Sequence, residues 1–300
     1  MKTLERLVLA HLRPLVSSFM DPLQFAYQPD IGVDDAVIIY LLHTSLTHLE
    51  KAGSTVRIMF FDFSSAFNTI QPRLLGDKLQ LASWGGSSPH YMDFGLPHSQ
   101  TTVYGDDREY RGLIQDFADW CLRNNLQINA GKTKELVVDF RRRIATLRLH
   151  RLDWSDNTNA LVKKGNSRLF LLRRLRSFGV QGPLLRTFYD SVVASAIFYG
   201  IVCWASSITD RDRRRMDRLV RRASSVLGCP LDSVEVVGNG RMMAKLSSLL
   251  NNTSHPLQDT LTALGSSFSE RLLHPRCVKE RYRRSFLPAA VRLHNKQNAR

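Results

Sequence analysis

Asp62 is the single carboxylate in an apolar run, Phe60-Phe61-Asp62-Phe63-Ser64-Ser65-Ala66-Phe67. An unpaired carboxylate is costly to bury, so an Asp at the end of a buried strand needs a partner or a metal. One reading makes Asp62 a Mg²⁺ ligand in a phosphoryl-transfer site, since hard cations take oxygen ligands. The other makes it the N-cap of the helix that follows. The residues alone leave both open.

A second chemistry is carried by clustered cations. Lys163, Lys164, Arg168, Arg173, Arg174 and Arg176 fall on one predicted helix, and Arg211, Arg213, Arg214, Arg215, Arg218, Arg221 and Arg222 on another. Such faces neutralise phosphates in a salt-sensitive, sequence-independent way. Asp210, Asp212 and Asp217 offer a competing account, in which i,i+4 pairs make an ordinary solvated face. The charge balance favours the first. The chain has 42 Lys+Arg against 27 Asp+Glu, a net charge of +15 and a pI near 10.1. The excess is confined to the second half: 30 basic and 11 acidic residues after position 140, against 12 and 16 before it. The expected partner is RNA or DNA.

An anionic membrane is the other polyanion to weigh. Ser191–Thr209 runs 19 residues without a charge, long enough to span a bilayer. Its Ser and Gly content and the Arg-rich sequence after it read better as a buried helix plus turn, with no stable membrane insertion. Glu5, Arg6 and Arg13 interrupt the first residues, so no secretory signal is expected. Cys121, Cys203, Cys229 and Cys277 form no CxxC pair. They read as free thiols of a reduced intracellular compartment, nucleus or cytoplasm, with no disulfide-linked partner. His274 and Cys277 have ligand spacing but no second pair to complete a metal site.

These residues must be positioned by recognisable elements. Helical spacing predicts a helix over 3–20, ended by Asp21-Pro22, and another over 33–49 capped by Asp34 or Asp35. Thr55–Asp62 reads as a strand, and 64–81 as a helix broken near Gln71-Pro72. Residues 83–100, rich in Gly, Pro and Ser, read as a loop or join. An amphipathic helix is predicted over 108–124, with Tyr110, Leu113, Ile114, Phe117 and Cys121 on one face. Residues 126–129 and 135–140 then predict a hairpin across a Gly-Lys turn. Residues 141–151 read as a basic connector, followed by helices near 155–178, 183–200, 210–227 and 286–295. The Asn/Ser-rich stretch 238–269 reads as a linker.

The pattern Phe-x-Asp-x-x-x-Ala-Phe at Phe60–Phe67 resembles the first palm motif of LINE-type, non-LTR retrotransposon reverse transcriptases. Leu23–His43 is similar to the preceding fingers motif, and Trp120–Phe140 to a later palm motif with its Lys-Thr pair. Leu152–Val180 and Leu184–Trp204 resemble the helical thumb and connection. The resemblance implies an α+β fold: a truncated fingers/palm over 1–140, a basic helical thumb over 141–230 and a C-terminal tail with short helices over 231–300. It implies Mg²⁺-dependent RNA-directed DNA polymerase chemistry. Asp62 would hold the metal, Phe67 would exclude a ribose 2′-hydroxyl, and Lys132 would lie near the triphosphate. Lys163, Lys164, Arg168, Arg173, Arg174, Arg214, Arg215 and Arg218 would grip the nucleic acid.

The family supplies further carboxylates from an aromatic-x-Asp-Asp hairpin after a Pro-Gln-Gly segment. The segment is absent. Tyr104-Gly105-Asp106-Asp107 fits the string, but the charged Arg108-Glu109-Tyr110-Arg111 after it favours a helix start over a hairpin. The expectation is therefore an internally deleted remnant that has lost its activity, with a non-catalytic nucleic-acid-binding protein as the alternative. A further resemblance covers Leu152–Val193 alone, to a short N-terminal piece of an AlkB-type tRNA-modifying family. It would imply an oxidoreductase or methyltransferase label. No His-x-Asp…His iron triad and no glycine-rich methyl-donor loop accompany it.

Overall fold

The computed structural model describes residues 2–16, 23–26, 28, 31–47, 55–69, 71–74, 107–139 and 154–298. The expected loop at 83–100, the basic connector at 141–151 and the Tyr104–Asp106 string lie outside these residues. The chain divides into two compact units, Met1–Gln24 with Lys51–His150, and Phe25–Glu50 with Arg151–Arg300.

The first unit opens with helix α1, Lys2–Val16. Strand β1 (Thr55–Phe60) and strand β2 (Phe63–Ser64) lie before and after Asp62. Helix α2, Asp107–Arg123, buries Phe117 and Cys121, two of the residues its periodicity predicts inward. Phe117 packs on Phe61 at 4.3 Å between ring centroids and on Phe63 at 6.4 Å.

Strands β3 (Gln127–Ile128) and β4 (Lys134–Asp139) do not pair with each other, contrary to the hairpin expected there. β4 pairs antiparallel with β1, Thr55 opposite Asp139 and Phe60 opposite Lys134. β3 pairs antiparallel with β2, Phe63 opposite Ile128. The two short ladders follow one another along the same two stretches of chain. Residues 129–133 make an excursion opposite Phe61-Asp62, pinned where Asn129 N–H donates to the Asp62 carbonyl at 2.7 Å. The apolar β1 stretch outcompetes a local turn because it offers Val137 and Leu136 a longer partner than Gln127–Ile128 does.

The second unit is helical. Helices α3 (Ser155–Ser177), α4 (Asp210–Leu227), α5 (Val234–Asn251) and α6 (Phe286–Gln297) are its longest elements. The first two agree with the sequence periodicity to within a residue. A helical run over 33–47, π-helical between Val37 and Thr44, belongs to this unit and not to the strands that follow it in sequence. Its Ile38, Leu42 and Leu46 share a core with Met242, Leu246 and Phe286. A second core joins Leu161, Leu172, Ile197, Trp204, Met216 and Leu219.

The linker expected at 238–269 is instead mostly helix, α5 and Gln258–Ala263. Gly238 is buried within α5, and a β-carbon there would stand 2.8 Å from the Ala205 Cβ. Its small size serves a close helix approach, not flexibility. The uncharged run after α3 is also interrupted. It turns π-helical at Tyr189–Ala194 and breaks at Gly200, whose φ of 59° is left-handed, before Ile201–Trp204. Gly182–Trp204 has the length and composition of a membrane span, and half of it is buried inside the protein. None of the four cysteines is joined in a disulfide.

Candidate nucleic-acid interface

α3 and α4 run parallel and touch along their length. The cross-helix partners advance together: Asn159 with Arg215 at 2.8 Å, Asn166 with Arg222 at 3.5 Å, and Arg176 with the Val226 carbonyl. Gly165 permits the approach, since a β-carbon there would meet Leu219 Cδ1 at 2.7 Å. The buried stripe of α3 is Thr158, Leu161, Gly165, Leu169 and Leu172, and that of α4 includes Met216, Leu219, Val220 and Ala223.

The arginines of α4 are ordered by this packing. Arg211, Arg215, Arg218 and Arg222 follow at i, i+4, i+7 and i+11, one helical edge about 17 Å long. Arg215 and Arg222 lean onto α3 through the two asparagines. Lys163, Arg173 and Arg174 lie on the α3 face that carries those asparagines, at helical spacing from Asn159 and Asn166. Lys164 and Arg168 fall on the other flank of the buried stripe. The six α3 cations therefore do not form one surface. Arg176 is used structurally, donating to the Ser225 and Val226 carbonyls at the end of α4. Arg213 pairs with Glu235 at 3.3 Å and leaves the set.

Of the acidic residues beside this edge, Asp212 pairs with Arg215 at 3.0 Å and Asp217 is engaged elsewhere. Thr209 caps α4, its Oγ1 accepting from Asp212 N–H at 3.2 Å, and Asp212 is buried against Thr209 and Arg215. Asp217 accepts from Val234 N–H at 2.9 Å and so caps α5. Among the described residues no carboxylate pairs with Arg211, Arg214, Arg218, Arg221 or Arg222, nor with Lys163, Lys164, Arg168, Arg173 or Arg174. The i,i+4 account of these charges fails for most of them.

The carboxylate site has a different character. Asp62 caps no helix, because the chain returns to strand at Phe63–Ser64 before the short helix Ala66–Thr69. The 129–133 excursion brings the Lys132 ammonium to 3.6 Å from Asp62 Oδ2, an exposed ion pair. That oxygen has no hydrogen-bond donor. Phe67 lies in the short helix and Asp107 is the first residue of α2. Asp106 falls outside the described residues. Among the described residues no three His, Cys, Asp or Glu side chains converge to hold a metal, His274 and Cys277 included.

One buried polar cluster is built on Asp35, which the sequence offers as a helix cap and which does take the Gly32 N–H at the start of the 33–47 run. Asp35 is fully buried and accepts from Lys245 Nζ at 2.7 Å, from Gly32 N–H at 2.7 Å and from His255 Nε2 at 3.2 Å. Leu257 N–H donates to His255 Nδ1, which leaves Nε2 to carry the proton toward Asp35. Burial pushes the Asp35 carboxyl up, but the hydrogen bonds from His255, Lys245 and Gly32 outweigh it and hold the group below the usual range. Lys245 and His255 lie 210 and 220 residues from Asp35 in sequence, so no local pattern points to them.

A family profile described as alkylated DNA repair protein alkB homolog 8, N-terminal, matches this chain over residues 154–195. No characterised protein and no solved structure matches it. The match begins one residue before α3 and ends in the helical run after it. It covers the segment read above as a polymerase thumb, and it is not a reverse-transcriptase family. The resemblance to LINE-type retrotransposon reverse transcriptases is thereby corrected, and the polymerase remnant drawn from it falls with it. The alternative of a non-catalytic binding protein gains no support from the match either. The resemblance of Leu152–Val193 to an AlkB-type piece is the one that agrees with it. The fold is mixed helix and strand, and nothing ties it to a polymerase palm.

Proposed function

We propose that the chain is related to AlkB homologues and that its helical unit binds nucleic acid along the α3–α4 edge. The observation that carries this is the row of arginines on α4, most without a carboxylate partner, set beside Lys163, Arg173 and Arg174 of α3. Guanidiniums at one-turn intervals neutralise phosphates, and the released counterions drive binding. The matched family is described as a DNA-repair protein, so a nucleic-acid partner agrees with the family's own description.

The test is fluorescence anisotropy of a labelled 20-nucleotide strand with the full chain, from about 50 to 200 mM salt. Affinity should fall steeply, as log K linear in log salt. Arg218→Gln with Arg222→Gln should reduce that slope by about 2, about 1 for each phosphate no longer neutralised. Binding that is absent, or unchanged across the salt range, overturns the proposal.

A further inference from the structure

α3 and the residue that caps its C-terminus carry two large aromatic side chains in water beside the helix's cations. Phe170 is 60% exposed and Phe178 is 71% exposed, whereas the neighbouring Leu169 and Leu172 are buried. Phe170 lies seven residues after Lys163 and three or four before Arg173 and Arg174, so all four share one helical face. The Arg174 guanidinium sits 5.0 Å from the Phe178 ring centroid. Across the seam, Arg222 reaches Asn166, one turn before Phe170. Apolar rings of this size are costly to expose, and here arginines and a lysine surround them.

We infer that this face takes single-stranded nucleic acid, with unpaired bases stacking on Phe170 and Phe178 while the α3–α4 cations hold the backbone. The inference rests on the proposed nucleic-acid binding and adds which form of it the surface selects. Phe170 and Phe178 are eight residues apart, about 12 Å along the helix axis. Bases in a duplex are stacked about 3.4 Å apart and closed to side chains, so they cannot reach two rings at that separation. A single strand can splay its bases outward onto aromatic rings.

Four probes separate the possibilities: a 15-nucleotide single strand, the same strand made abasic, the matching duplex, and poly-glutamate of equal charge. The intact single strand should bind tightest. Phe170→Ala with Phe178→Ala should weaken it by about 5- to 150-fold for each ring removed and leave the abasic strand and duplex unchanged. Phe170→Trp should restore or tighten single-strand binding. Both rings are exposed, so equal thermal midpoints for the Ala variant and the parent exclude unfolding as the cause. If the Ala variant binds the intact strand as the parent does, while Arg218→Gln with Arg222→Gln weakens all nucleic acids, stacking is overturned and backbone binding stands. Poly-glutamate or duplex binding as tight as the single strand overturns the selection for unpaired bases. If none of the nucleic acids binds, the underlying binding proposal fails with it.

Discussion

Lys245 Nζ lies 2.7 Å from the carboxylate of Asp35, a residue with no exposed surface, while Lys132 Nζ lies 3.6 Å from Asp62 at the protein surface. The two pairs have the same chemistry and opposite consequences. The buried pair ties the 33–47 helix to α5 and, through His255, to the chain after it. The exposed pair joins an excursion to the strand ends it faces.

Breaking the buried pair should be severe. Asp35→Ala leaves the Lys245 ammonium without its partner and His255 Nε2 without its acceptor. Losing one member of a buried ion pair costs about 3–5 kcal/mol. Urea denaturation of the full chain checks this, and a loss below about 1 kcal/mol would refute it.

The same cluster sets an acid limit. The Asp35 carboxyl is held below its unfolded value, so its contribution is complete above about pH 4 and is lost as pH falls through the folded value. Asp34 has the opposite sign. Burial is the main cause that raises its carboxyl, so its contribution is fullest at low pH and fades as pH rises through the folded value. Asp35→Asn should therefore flatten the acid side of the stability profile below about pH 4. An unchanged acid slope in that variant counts against the Asp35 assignment.

Asp62→Asn should change little. Its partner Lys132 is exposed, and exposed pairs contribute about 0–1 kcal/mol. The thermal midpoint should stay within about 4 °C of the parent, consistent with a loss of at most about 1 kcal/mol in a chain of this size. A large drop would mean that Asp62 holds the excursion more firmly than one long ion pair allows.

The thiols should divide in two. Cys203 and Cys121 are buried, and burial pushes both thiols up, away from the reactive thiolate. Cys229 and Cys277 are half-buried. Disulfide-exchange titration of the native chain should count about two fast thiols and release the rest only on denaturation. Four fast thiols would contradict the packing of α2 or of the 201–204 helix.

Gly238→Val should destabilise the helical unit by about 1–3 kcal/mol, the usual cost of overpacking. Even a β-carbon there stands 2.8 Å from the Ala205 Cβ, which has no flexible end to move aside. Gly240, on the same helix with open space around it, is the control. Gly240→Ala should be neutral or stabilising, because alanine is the better helix former. Equal losses at both positions would show that helix propensity, not steric crowding, decides.

Local periodicity determined much of this protein. The boundaries of α3 and α4, the inward face of α2 and the strand before Asp62 follow from spacing of 3.6 residues and from β-branched apolar runs. The 4-3-4 arginine spacing of α4 was likewise written in the chain. Its meaning was not, because Asp210, Asp212 and Asp217 stood at spacings that let them pair with those arginines. Only the packing of α4 against α3 and α5 settled that, by turning Asp217 toward the Val234 amide. The Gly- and Ser-containing α5 looked like a linker because small residues signal both flexibility and close approach. The tertiary packing against Ala205 distinguishes the two. Strand pairing followed the same logic: a short turn favours a local hairpin, but β4 pairs over six positions with β1, 74 residues away at the Phe60–Lys134 end. The Asp35–Lys245–His255 cluster was beyond the sequence altogether. No one-dimensional pattern encodes an ionic contact between residues 210 positions apart, and its energy exists only once water has been excluded from around it.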